Sequence, residues 1–370
     1  MKHLNLRMYA MVIALVCIWL IFTLLTGGTF LSNRNLSNLS RQATVTAILA
    51  IGMVLVIISA NIDLSVGFGA GLLGAITAII HVKFGTPIII TLLLVISIGV
   101  LIGVAQGYLI AYQRIPAFIV TLGGFLVFRG LMLAFTKGET ILLHDNWLKN
   151  IGNAYLPSQL GWGLMGAGLV LSGYLLLRQT STANLNKNNK SLLLNIIKTL
   201  VIWGCVIAFT VTMNSYKGIP IPACILLGLT FIFHFIANHT RFGRYVYAVG
   251  GNAEAAYLSG INVRSITLRV FALMGALMAI AGIVMTTRLG SAGPNAGSLL
   301  ELDAIAACVI GGASLMGGRG TIFGAVLGAF VMASLSNGMS MANMDTAWQD
   351  AIKGIVLVTA VGFDMASRKP

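Results

Sequence analysis

Twelve apolar runs, each close to the length needed to cross a bilayer, are strung along this chain with short polar links between them. About 20 apolar residues make a helix of roughly 30 Å, the depth of the hydrocarbon core. In lipid every backbone N–H and C=O must be satisfied within the protein, so only helices and closed barrels can span it. Runs of helix length select the first, and the expected fold is an all-α, polytopic transmembrane helical bundle of about 12 helices. The runs lie at 8–28, 43–60, 64–81, 87–111, 117–135, 160–177, 192–213, 219–237, 266–287, 299–316, 321–337 and 347–366. The first follows Lys2 and Arg7 like the start of a signal peptide. Its length and the lack of a small-x-small cleavage site predict a retained helix. The runs at 43–60, 64–81 and 299–316 are short or polar at their ends. A ten-crossing count that lost two of them would keep the same orientation.

Composition agrees. Only 9% of the residues are charged and 58% are hydrophobic, against roughly 25% charged in soluble domains. The net charge of +14 invites a nucleic-acid reading, but the basic residues sit in the links and form no face with interleaved aromatics. No nucleic-acid partner is expected. The partner is membrane lipid, and the place a bacterial inner (plasma) membrane. With both termini cytoplasmic, basic residues at inner ends outnumber those at outer ends by roughly two to one, as the positive-inside rule requires.

That orientation puts the polar stretch 238–269 in the cytoplasm. It carries Arg241, Arg244, Arg264 and Arg269 but one acid, Glu254. Its middle is a short helix-like run: Asn252, Ala253, Glu254, Ala255, Ala256, Tyr257, Leu258 and Ser259. Gly250 and Gly251 precede it and Gly260 follows. Asn252 is a natural N-cap and Gly260 a natural stop. A rigid, partly apolar knob between basic flanks has the makings of a docking surface. An ordinary basic cytoplasmic loop is the plain alternative.

Small residues recur every fourth position at Gly99, Gly103 and Gly107, and at Gly324 and Gly328, a spacing that lets helices approach closely in lipid. Two glycine patterns mislead. Gly69, Gly71 and Gly74 fit a dinucleotide fingerprint, but they lie in an apolar helix with no preceding strand. The run 312–318 resembles a phosphate loop, but Gly318 stands where its lysine belongs. No ATP site is expected. The four cysteines (Cys17, Cys205, Cys224, Cys308) lie within apolar runs without metal-type spacing, and the five histidines are scattered. Neither a metal, a cofactor nor a catalytic constellation is expected.

Carboxylates in apolar surroundings say more. Asn61, Asp63 and Ser65 interrupt the chain between two runs, and Glu301 and Asp303 open another. A carboxylate at membrane depth costs about 2.5–3.5 kcal/mol on insertion scales, so it faces a cavity or a partner. Short broken helices in both halves of a chain mark inverted repeats around a midplane site. These five residues are therefore candidates for a translocation path. The alternative is that the acids favour helix starts, where the dipole welcomes negative charge.

Four ordered runs then carry a family resemblance: NIDLSVG (61–67), RIPAFIVTLGG (114–124), GRYVYAVGGNAEAAYLSGINV (243–263) and ELDAIAACVIGGASLMGGRGT (301–321). They resemble the permeases of ribose- and arabinose-type ABC importers, over most of the chain. The resemblance implies one permease domain over 1–370 and a permease homodimer. A cytoplasmic ATP-binding subunit would dock on the coupling loop 239–265, at 252–260. A periplasmic sugar-binding protein would deliver a pentose, with D-xylose the expected sugar. ATP hydrolysis would belong to the partner, so the chain itself would be no enzyme. Two crossings over 160–216 look inserted into a ten-helix family core, as in the xylose-type members. A secondary sugar transporter driven by an ion gradient, with Asp63, Glu301 or Asp303 carrying the ion, is the reading from another class. A membrane-embedded enzyme is a third, without a catalytic constellation to support it.

Overall fold

A long central helix, Val263–Leu289, organises the structure, a computed structural model that describes residues 2–144, 146–185 and 189–366. Among these residues there are fifteen α-helices. In chain order the first nine are α1 (Lys2–Leu25), α2 (Asn33–Ile58), α3 (Val66–Ala78), α4 (Ile88–Ala111), α5 (Ala117–Thr136), α6 (Asn146–Asn153), α7 (Ser158–Leu185), α8 (Asn189–Asn214) and α9 (Ile221–His239). Then come α10 (Arg241–Gly251), α11 (Ala253–Leu258), the central α12, α13 (Leu300–Ile310), α14 (Ile322–Met341) and α15 (Thr346–Ala366). Two short strands, β1 (Ile141–Leu142) and β2 (Ser291–Ala292), pair antiparallel and tie the segment after α5 to the end of α12.

Seven helices are long and apolar enough to cross a membrane: α2, α3 with the π-helical turn that extends it to Lys83, α4, α5, α9, α12 and α14. Shorter apolar stretches occur in α1 and α8. The chain is thus a polytopic helical bundle, as the apolar runs require. One expected crossing is corrected. The run 299–316 forms only the 11 residues of α13, about 16 Å at 1.5 Å per residue. Glycines end it: Gly312 (φ 85°), Gly317 (φ 86°) and Gly318 (φ 71°) hold the backbone in the left-handed region, where a side chain is costly. Lys187, Arg368 and Lys369, which enter the charge balance, lie outside the described residues.

The glycine ladders do what their spacing predicts. A methyl group on Gly99 would strike the Gly275 carbonyl oxygen, and one on Gly103 the Phe271 carbonyl oxygen. α4 and α12 therefore pack backbone to backbone along this stripe. Gly324 and Gly328 of α14 likewise meet the carbonyls of Gly311 and Ala307 on and just after α13. The false fingerprint glycines are packing residues too. Gly69 faces Met278, Gly71 the Ala296 carbonyl, and Gly74 Thr286. α2 runs through the centre, and Ala43 to Ile58 are buried without interruption. α7 and α8 pair with each other, and Trp203 Nε1 donates to Ser172 Oγ at 2.8 Å.

Candidate translocation and coupling site

Two helices begin inside the bundle rather than at its edge. α3 starts at Val66, and its Gly69 already faces Met278, close to the middle of the 27-residue α12. α13 starts at Leu300, just after Gly297, whose backbone lies against Gly67 and Gly71. From this shared level α3 runs toward the Leu289 end of α12. α13 runs the other way, toward the face that carries α10. The two N-termini meet at Gly67, where a methyl group would fall on Glu301 Oε2 and 2.5 Å from the Gly297 carbonyl oxygen. Each N-terminus carries partial positive charge from its unpaired N–H groups.

The five residues expected from sequence divide around this meeting point. Asp63 and Ser65 are 0% exposed. Asp63 Oδ1 accepts from the Ser65 amide at 2.9 Å and from Ser65 Oγ at 2.6 Å. Asp63 therefore pins a turn ahead of α3, which starts at Val66 rather than at Leu64. Asn61 holds the preceding turn, donating through Nδ2 to the Ser59 carbonyl at 2.9 Å. Glu301 (4% exposed) and Asp303 (9%) both lie in the first turn of α13. Gly67 brings Glu301 against the Asp63–Ser65 break. Asp303 turns away, to an ion pair with Lys353 of α15 at 3.3 Å. Asp63 Oδ2 and Glu301 Oε2 are buried without a hydrogen-bond partner among the described residues. Spare acceptors at this depth beside helix N-termini can receive hydroxyl or amide donors from a passing solute.

The polar stretch 238–269 contains two helices, not one. α10 runs through Gly250 and Gly251, so these glycines precede α11 as expected and also end a helix of their own. Asn252 then caps α11, accepting from the Ala255 amide at 2.9 Å, and Gly260 (φ 83°) follows the helix end. Ala256 is buried, while Tyr257 (70%) and Leu258 (78%) stand exposed on the knob.

A three-way junction sits beneath this knob. A methyl group on Gly250 would overlap the Ile58 carbonyl oxygen at the end of α2 and lie 2.8 Å from the Gly318 amide. Gly318 N–H donates to the Ile58 carbonyl at 2.8 Å. Tyr247 of α10 donates its hydroxyl to the Gly320 carbonyl at 2.8 Å, and burial pushes its phenol above the ordinary range. α10 therefore touches segments that flank both interior helices: the end of α2 before the 59–65 break that leads into α3, and the link that leaves α13.

Several residues escaped the sequence reading. Gln106 of α4 donates to Ser65 Oγ at 2.9 Å and keeps an unpaired buried Oε1. A glutamine in an otherwise apolar helix carried the same signal as the acids. Lys353 was visible as a charge inside an apolar run. Tyr247 carried no signal, because its partner is a backbone carbonyl 73 residues away.

Comparison with known proteins agrees with this architecture. Residues 35–361 match the family described as branched-chain amino acid transport system / permease component. The chain is 45% identical to the xylose transport system permease protein XylH of Escherichia coli K12, covering 100% of this chain and 94% of that protein. It is 44% identical to the Haemophilus influenzae XylH over 100% of this chain and 99% of that one. It is 36% identical to the ribose import permease protein RbsC of Haemophilus influenzae, over 90% of this chain and 85% of that protein. No solved structure matches it. A bundle with two helices starting at its middle, matched from end to end by transport permeases, places this chain in the branched-chain amino acid transport system / permease component family.

Proposed function

We propose that this chain is the membrane subunit of an ATP-binding-cassette importer for a pentose, with D-xylose as the sugar. The relatives' names supply the sugar, and the lack of a phosphate loop in the sequence leaves ATP hydrolysis to a separate subunit. In this reading α10 and α11 face the cytoplasm, as do both termini, in keeping with the positive-inside bias. The chain works as a homodimer in a bacterial inner membrane, with a sugar-binding protein on the outer face. α7 and α8 are a peripheral helix pair added to a smaller family core.

The observation that carries the proposal is the junction at Gly250. Closure of an ATPase against the exposed Tyr257 and Leu258 would press on α10. α10 bears on Ile58 and Gly318 through backbone, with no soft side chain between to absorb the displacement. The push therefore reaches the two interior helices together and shifts the access of Asp63, Ser65 and Glu301 between faces.

The test is uptake of labelled xylose by vesicles holding this chain, an ATPase subunit and a sugar-binding protein, with ribose and arabinose as competitors. Uptake that needs ATP and both partners is expected. Uptake by this chain alone on an ion gradient would overturn the proposal. Glu254→Arg should weaken ATPase binding or coupling, and an unchanged variant would remove 252–260 from the docking role.

A further inference from the structure

The far end of α2 forms a second polar feature. Arg34, Asn35, Asn38, Arg41 and Gln42 fall on one stripe of its first three turns, and Asn337, Ser340 and Met341 of α14 face them. With Thr29, Ser32 and Tyr216 they line an open cavity of about 590 Å³, within the range of small-molecule clefts. Twenty-four residues of α2 separate Arg34 from Ile58, so the cavity and the Gly250 junction lie about 36 Å apart along one helix.

The lining has a definite chemistry. No carboxylate is present, which disfavours cations. Four side chains are amides, each offering both donors and acceptors. The hydroxyls of Thr29, Ser32 and Ser340 each make one hydrogen bond within the protein, to the Thr26 carbonyl, from the Asn35 amide and to Gln349 Oε1, and keep their remaining lone pairs as acceptors. Arg41 is already engaged: Nη1 donates to Asn153 Oδ1 at 3.1 Å, Nη2 to Asn38 Oδ1 at 3.4 Å, and its guanidinium lies 5.5 Å from the Tyr155 ring centre. That leaves Arg34 as the one cation of the wall with no such engagement described, against a ring of neutral groups that give and take hydrogen bonds. A polyol, whose every hydroxyl is both donor and acceptor, fits this lining better than an anion.

We infer that this basin is a low-affinity binding site for a monosaccharide, the place where sugar first meets the permease. The inference rests on the import reading for its orientation, since that reading makes this the outer face. Asn35 is tied to the Phe30 carbonyl at 2.8 Å and to Asn337 Oδ1 at 2.9 Å, and shapes the floor. Gln42 and the Nδ2 donor of Asn38, whose Oδ1 accepts from Arg41, are left as the principal ligand contacts. A site here must be weak, because a tight one would hold the sugar back from the path.

The experiment is equilibrium binding of tritiated D-xylose to the detergent-solubilised full chain, with succinate as the anionic competitor. Saturable binding is expected. Asn38→Ala with Gln42→Ala should weaken it about tenfold, the effect of losing two or more neutral hydrogen bonds. Ser340→Trp, at an exposed wall position, should block it by filling the basin, so the conclusion does not hang on one variant's folding. Binding that survives both changes, or no saturable binding at all, would overturn the inference. Displacement by succinate in preference to unlabelled xylose would also overturn it, and would mark an anchor for an acidic group. Wild-type vesicle uptake separates the two readings. ATP-driven import without basin binding removes the basin alone, whereas basin binding without ATP-driven import removes the importer and leaves a sugar site.

Discussion

Gln106 and Ser65 lie 41 residues apart in the chain, yet Gln106 Nε2 donates to Ser65 Oγ at 2.9 Å inside the bundle. Ser65 Oγ in turn donates to Asp63 Oδ1 at 2.6 Å. Three polar side chains thus form one relay that clamps the start of α3 to α4. Ser65→Ala removes the middle of the relay: Gln106 Nε2 loses its acceptor, and Asp63 Oδ1 keeps only the backbone amide of residue 65. A buried unpaired polar group costs about 1–3 kcal/mol. We expect a lower melting temperature in detergent. An unchanged value would show that water, or a shift of Gln106, replaces the serine.

Glycine at 67 is required by contact, because a side chain there would collide with Glu301 and with the Gly297 carbonyl. Gly67→Ala should reduce yield and melting temperature, with overpacking of this kind costing about 1–3 kcal/mol. Gly123→Ala is the control, since a methyl group there meets nothing within 4 Å. Equal behaviour of the two variants would dissolve the claim that the interior helix starts touch.

Asp303 and Lys353 pair at 3.3 Å across α13 and α15. Lys353→Met should destabilise more than Asp303→Asn combined with Lys353→Met, because the single change strands a largely buried carboxylate. The difference should be on the order of 3 kcal/mol. Thermal unfolding of the four proteins in a double-mutant cycle measures it. Additive effects would mean that the pair does not interact.

Tyr247→Phe keeps the ring and removes the hydrogen bond to Gly320. The stability change should be modest, about 0.5–1.5 kcal/mol. The larger expected effect is on coupling, with ATP hydrolysis continuing while sugar uptake per ATP falls. Equal losses of hydrolysis and uptake would point to assembly instead.

Asn252→Ala should lower uptake by loosening α11, at a cost of about 1 kcal/mol in helix stability. Asn252→Ser should restore uptake, since serine also caps. Failure of serine to rescue would show that the amide touches a partner directly and does not act through the helix.

Bundle class and most helix positions were legible in the chain because each follows from local properties. Apolar runs of bilayer length have no stable alternative to helix, and glycines every fourth residue announce close packing. Asn252 and Gly260 were legible as the ends of α11 because capping depends on a few consecutive residues. The acids at 63, 301 and 303 stood out because charge is costly in such surroundings.

What the sequence determined by itself, then, is a polytopic helical bundle with a short capped helix at 253–258 and interruptions near Asp63 and Glu301. Tertiary structure decided the rest. The run 299–316 looked like a crossing, and only its packing shows a half-length helix with its N-terminus against that of α3. Glu301 meets Gly67, Asp303 meets Lys353, and α10 rests on Ile58 and Gly318, all across long separations in the chain. Hydropathy and capping depend on neighbours in sequence, so they can be read along the chain. Which backbone segments press together depends on how all the helices share one interior, and no local pattern encodes it.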